Sequence, residues 1–176
     1  MPPHRPVVVA SALTVLLLLA PRLAASEDAV AASTLPPGEE AVKPYAMSNA
    51  NAGARPLTDP RLLAAFHGRE GLDRIASDLV DRSTADRRIS EIFKGHDLVR
   101  LKRTLAEQLN YLLGGPGDYS GRDMKTTHAD LGIQDADFNA LVEDLRLAMD
   151  KEGVAFAAQN RLLARLAPMH RDVVAR

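Results

Sequence analysis

The chain has no cysteine and no tryptophan, and aromatic residues make up only 4% of its 176 positions. Without cysteine there are no disulfides, no metal or iron–sulfur sites built on thiolates, and no thioether-attached haem. There is no basic excess either: 22 Lys+Arg face 23 Asp+Glu, for a formal net charge of -1. That balance offers no electrostatic footprint for a phosphate backbone, so nucleic acid is not an expected partner. After residue 20 no apolar run approaches the ~20 residues that span a bilayer. After residue 58 no stretch alternates apolar and polar residues for long enough to make a strand. A charged fraction of 26% and a hydrophobic fraction of 46% are those of an ordinary globular protein. Function must come from a site, not from bulk charge.

Proline divides the chain. Eight of the 11 prolines fall in residues 1–58 and three in the 118 residues that follow. The first stretch opens with Arg5 and then an apolar run from Val7 to Ala20, which Pro21-Arg22 ends before the small residues Ala24, Ala25 and Ser26. This order of positive start, short apolar core and small-residue exit predicts a secretory signal peptide over residues 1–26, cleaved near Ala25 or Ser26. The protein would then be periplasmic or secreted, with no stable membrane domain. The alternative is an uncleaved leader that anchors it to the inner membrane. Residues 27–58 are rich in Ala, Pro, Ser, Asn and Gly without an apolar period, which predicts a flexible linker. A packed element there would have only Val30, Val42, Tyr45 and Met47 to anchor it.

Residues 59–176 form the expected domain, and its periodicity is helical. Leu62, Leu63 and Phe66 make a short stripe; Leu72, Ile75, Ala76, Leu79 and Val80 make another; Ile89, Ile92 and Phe93 fit one turn. Leu98, Leu101, Leu105, Leu109 and Leu112 follow Asp97, a good N-cap, and stop at Gly114-Gly115-Pro116. Further stripes run through Phe138, Leu141, Val142, Leu145 and Met149, and through Leu162, Leu163, Leu166, Met169 and Val173. Between Gly115 and Phe138 lies a glycine-rich, irregular stretch whose one helix candidate is Asp123–Leu131. So long a loop inside a compact domain is often functional. The core is thin in aromatics, and an apolar ligand would fill it.

Of the histidines, His67, His96 and His170 sit at junctions, turns or near the C-terminus, where a surface or capping role is expected. His128 lies on the short helix of the irregular stretch, one turn after Met124. No second histidine lies three or four residues away, so a two-histidine zinc helix is absent. The Gly-Gly-Pro-Gly run lacks a following Lys-Ser or Lys-Thr, which excludes a phosphate loop. Ser120 lacks the pattern of a nucleophile elbow.

The segment Leu113–Ile133, LGGPGDYSGRDMKTTHADLGI, resembles the centre of group I truncated haemoglobins. The shared features are Gly114-Gly115-Pro116, Tyr119 with Gly121, Met124 with His128 four residues on, and Gly132-Ile133 ahead of Phe138. Upstream, Ala85-Asp86 followed by Phe93, and Arg100-Leu101-Lys102, match as well; downstream, Ala167-Pro168 does. The resemblance covers about residues 59–176. It implies an all-α, truncated globin fold, a two-over-two helical sandwich around a non-covalent haem b. His128 would be the metal ligand on the iron. Phe93 would pack on the haem face, with Leu101, Met124, Ile133 and Phe138 lining the pocket. Lys102, Tyr119 and Arg100 would meet the propionates.

The chain departs from the family on the distal side. Val80 stands where a tyrosine is common and Leu105 where a glutamine is; Thr104 precedes it, and Gln108 is a further candidate donor. The first Gly-Gly of the family is reduced to His67-Gly68. An apolar distal pocket follows, with fast oxygen release. The implied function is an exported haem protein that reversibly binds oxygen or another diatomic gas, nitric oxide or carbon monoxide. Nitric oxide dioxygenase or peroxidase-like turnover would add an electron donor as partner. The alternative is a degenerate globin scaffold serving a non-haem ligand or a protein interaction, against which the presence of both His128 and Phe93 weighs.

Overall fold

A computed structural model of the protein describes residues 35–175. The expected signal peptide, 1–26, and the start of the expected linker lie outside the described residues. Among the described residues there are helices and turns but no strands, and no helix is long and apolar enough to cross a membrane.

Several helix ends are set by local chemistry. α1, Pro60–Ala65, starts at Asp59, whose carboxylate accepts from the Arg61 N–H at 3.1 Å, and Pro60 takes the first turn, where no N–H is needed. α2, Gly68–Ala85, buries the stripe Leu72, Ile75, Ala76, Leu79 and Val80. A 3-10 turn, Ser90–Phe93, leads to α3, Leu98–Leu112. α3 is capped as expected, with Asp97 accepting from Arg100 N–H at 2.9 Å. It ends at Gly114, whose φ of +79° a side chain would resist. α4 spans only Met124–His128, four residues shorter than the expected Asp123–Leu131. α5, Asp135–Lys151, opens with Asp137 accepting from the Gln134 N–H at 2.9 Å. The last stripe does not form one helix. α6, Phe156–Leu166, gives way to a 3-10 turn, Ala167–Met169, and then α7, His170–Val173. Pro168 forces that break, because it has no N–H to donate and its ring collides with the preceding turn.

α2 packs against α1, α3 and α5, and α5 packs against α6. The core gathers Phe66, Leu72, Ile75, Leu109, Leu145, Met149 and Leu162 across these five helices. Burying each such side chain is worth about 1.5–3 kcal/mol. Of the four phenylalanines only Phe66 is fully buried, while Phe156 is 62% exposed.

The segment expected to be a flexible linker is bound to the domain from residue 35 onward. The Glu39 carboxylate is 1% exposed and bridges Arg100 and Arg103 of α3. Asn49–Ala52 forms a 3-10 turn that packs against α3, with Ala52 wholly buried. Leu57 N–H donates to the Leu112 carbonyl at 2.8 Å. Of the expected anchors, Val30 lies outside the described residues, Val42 is 40% exposed and Met47 is 70% exposed, and Tyr45 attaches through its hydroxyl, which donates to the Ser120 carbonyl at 2.6 Å. The attachment rests mainly on single polar contacts to distant residues, so it leaves no period in the sequence.

Candidate functional site

α4 is too short to be stable by itself in water. Asp123 fixes its start, accepting from Thr126 N–H at 2.9 Å, and α7 packs against it. His128 closes it, with Nδ1 2.6 Å from the Met124 carbonyl oxygen. A carbonyl can only accept, so Nδ1 carries the proton and the lone pair of the neutral ring sits on Nε2. No hydrogen-bond partner meets Nε2 among the described residues. Burial pushes the pKa of the ring down, opposed by the bond to Met124, and keeps the imidazole neutral. A neutral imidazole with one nitrogen held by a backbone carbonyl and the other open is the form that ligates a metal. Among the described residues no three His, Asp or Glu side chains are grouped to hold a metal ion. A metal on His128 would have to bring its other ligands with it.

The apolar residues expected to line the pocket fall into two sets. Ile133 is buried at 7% exposure. Phe93, Leu101, Met124 and Phe138 are partly exposed and stand outside the buried core. Phe138 meets the His170 ring edge-on, with centroids 4.9 Å apart. These are apolar faces that the core of the protein does not cover, as a flat, largely apolar ligand requires.

The distal candidates offer no free donor. Val80 is 1% exposed on α2, and Leu105 leans on the core. The Thr104 hydroxyl bonds the Arg100 and Leu101 carbonyls of its own helix, at 2.9 and 3.2 Å. Gln108 was a candidate donor, but its amide is turned elsewhere. Nε2 donates to the Ala52 carbonyl at 3.0 Å and meets the Met124 sulfur at 3.4 Å.

Three further candidates are committed to other partners. Lys102 pairs with Asp81 of α2 at 2.6 Å. Arg100 is held by Glu39, by Asp97 and by the Glu40 carbonyl. Tyr119 is 5% exposed, and its hydroxyl donates to the Arg122 carbonyl at 3.2 Å. Burial pushes the pKa of that phenol up. A Cβ on Gly121 would lie 2.1 Å from the phenol oxygen, so the Tyr-x-Gly pattern is a packing unit. The structure thus joins His128, Met124 and Gln108 and leaves Tyr119 and Lys102 in separate contacts.

Two features escaped the sequence reading. Met169 lies 3.8 Å from Gln108 Nε2 through its sulfur. A buried Ser83 hydroxyl donates to Asp144 at 3.0 Å, joining α2 to α5. Both stand at apolar-stripe positions or their neighbours, where nothing in the spacing marks a polar pair.

The profile of the bacterial-like globin family matches residues 63–175. The group 1 truncated hemoglobin GlbN of Nostoc sp. (strain MUN 8820) is 30% identical over 102 residues, 58% of this chain and 86% of the relative. The group 1 truncated hemoglobin of Tetrahymena pyriformis is 33% identical over 76 residues, 43% of this chain and 63% of the relative. Among solved structures, the Fe(III) form of truncated hemoglobin from Tetrahymena pyriformis superposes with a TM-score of 0.63 at 23% identity, covering 65% of this chain and 98% of that one. The 2/2 hemoglobin of Synechococcus sp. PCC 7002, in the cyanomet state with covalently attached heme, gives 0.61 at 24% identity with the same coverage. These superpositions agree with the all-α fold.

Proposed function

The chain belongs to the bacterial-like globin family, and from that premise we propose that it is a truncated haemoglobin that binds a diatomic gas reversibly at a b-type haem held by His128. Haem would supply the iron on which the gas binds. The observation that carries the assignment is the His128 ring: Nδ1 is tied to the Met124 carbonyl at 2.6 Å and Nε2 is without a partner. Phe93, Leu101, Met124, Ile133 and Phe138 would form the apolar walls, and with no Cys in the chain no thioether bond would hold the haem. Val80 and Leu105 would face the gas without donating a hydrogen bond. Oxygen, nitric oxide and carbon monoxide are all admissible ligands of such a pocket. A dioxygenase role would demand a stabilised oxygen complex and a separate electron donor, so a binding role is favoured.

The order of positive start, apolar core and small-residue exit in residues 1–26 supports export to the periplasm. Sequencing the N-terminus of the protein recovered from the periplasm tests this; an intact Met1 on cytoplasmic protein would sink it. Titrating the purified full chain with haem tests the rest. A 1:1 Soret band that is lost or shifted in His128→Ala is expected, and no uptake by the unsubstituted chain would overturn the assignment.

A further inference from the structure

We propose that residues 43–53 are a strap that positions the proximal histidine. The strap holds loop 118–123 and the side chains of Gln108 and Met124, and through Met124 it sets the orientation of the His128 ring. The effect at iron rests on the haem reading above; the strap itself rests on the hydrogen bonds alone.

The loop before α4 has no regular structure of its own, and α4 is five residues long. Neither can hold a side chain in one orientation unaided. The strap supplies the missing contacts, bond after bond. Tyr45 donates its hydroxyl proton to the Ser120 carbonyl at 2.6 Å. Asn49 donates to Asp118 and accepts from Tyr119 N–H, both at 2.8 Å. Asn51 donates to the Gly121 carbonyl at 3.2 Å. In return Arg122 donates to the Lys43 carbonyl at 3.0 Å, with its guanidinium over the Tyr45 ring. Three consecutive loop residues, Tyr119, Ser120 and Gly121, are thus tied to the strap through their own backbone groups, and Asp118 and Arg122 on either side through their side chains.

The strap also reaches the histidine by a second route. The Ala52 carbonyl takes the Gln108 amide, the same amide meets the Met124 sulfur, and the Met124 carbonyl takes the His128 Nδ1 proton. Gly53 seats the strap on this chain of contacts. Its φ is +83°, and a Cβ there would lie 3.0 Å from Met124 Cγ and from Met169 Cε. The ring of a metal-bound histidine is oriented by what holds its other nitrogen, so these residues are positioning residues for His128.

The test uses the full chain and three variants: Gly53→Ala, the milder pair Asn49→Ala/Asn51→Ala, and Ser83→Ala as a control that loosens the α2–α5 contact. Amide hydrogen exchange of the apoprotein should quicken about tenfold or more over residues 118–128 in the strap variants, the effect of losing one or two ordinary hydrogen bonds. It should stay unchanged there in Ser83→Ala. In the reconstituted ferrous protein, the iron–histidine stretching band should shift or broaden in the strap variants and match the unsubstituted chain in the control. Unchanged exchange over 118–128 in both strap variants would overturn the proposal, as would a strap effect reproduced by the control. Failure of the unsubstituted chain to take up haem would sink the haem reading instead, while the exchange measurement still decides the strap.

Discussion

His128 and Met124 form the joint on which the site turns: Nδ1 of the ring lies 2.6 Å from the Met124 carbonyl oxygen, one turn back along α4. The bond fixes both the tautomer and the direction of Nε2. Its acceptor belongs to the helical backbone, so Met124→Leu should leave it in place.

The distal side should release oxygen quickly, because Val80 and Leu105 donate nothing and the Thr104 and Gln108 donors are spent on carbonyls. A hydrogen bond to a charged group is worth about 1.5–3 kcal/mol, so Val80→Tyr should slow oxygen dissociation about ten- to a hundredfold. Val80 is fully buried, so Leu105→Gln, at a partly exposed position, is the partner variant less prone to overpacking. Stopped-flow oxygen dissociation unchanged in both would contradict an apolar distal pocket.

Ser83→Ala should destabilise the protein by about 1–3 kcal/mol in urea unfolding, because it leaves the buried Asp144 carboxylate without its hydroxyl partner. A cost no larger than that of an exposed Ser→Ala change would show that water replaces the hydroxyl.

His67 is the one non-glycine residue with positive φ among those described, at +60°. A left-handed conformation costs a side chain roughly 1–2 kcal/mol. The 3.1 Å contact of His67 with Glu152 is half-exposed and duplicated by Arg74, so it returns less. His67→Gly should therefore raise the unfolding midpoint or leave it level. A clear fall would show that the Glu152 contact outweighs the backbone strain.

Glu152 carries an acid-linked share of stability. The Arg74 guanidinium, and then His67, hold its pKa at about 2 against an ordinary 4.5. A carboxylate depressed on folding contributes fully above pH 4.5 and loses that contribution as pH falls toward 2. Glu152→Gln should be less stable than the unsubstituted chain at pH 6 and should decline less steeply between pH 4.5 and 2. Parallel declines for the two proteins would assign the acid sensitivity to other carboxylates, such as Asp59, which Arg61 and Arg161 depress in the same way.

The helices were legible in the sequence because each buries a stripe at three- and four-residue spacing and ends at a residue with no other option, as α3 does at Gly114. His128 stands out in the sequence only through what Met124, four residues before it, and the Gly-Gly-Pro upstream share with group I truncated haemoglobins. What escaped was polar. The strap is held by Tyr45, Asn49 and Asn51, and the segment just before it by Glu39, whose bonds to loop and arginine follow no period. Gln108 reads as part of the pocket-facing helix, yet the Ala52 carbonyl turns it toward the strap. Tyr119 reads as a ligand contact until its packing against Gly121 is seen. The break at Pro168 is visible in the sequence, but the stripe through Leu162 and Val173 masks it.

The most direct measurement is the absorption spectrum of the haem-titrated full chain beside His128→Gly, with and without added imidazole. Ligation by His128 predicts a Soret band in the unsubstituted chain, its loss or shift in the variant, and its return when imidazole enters the vacated position. An identical spectrum in His128→Gly without imidazole would contradict the account.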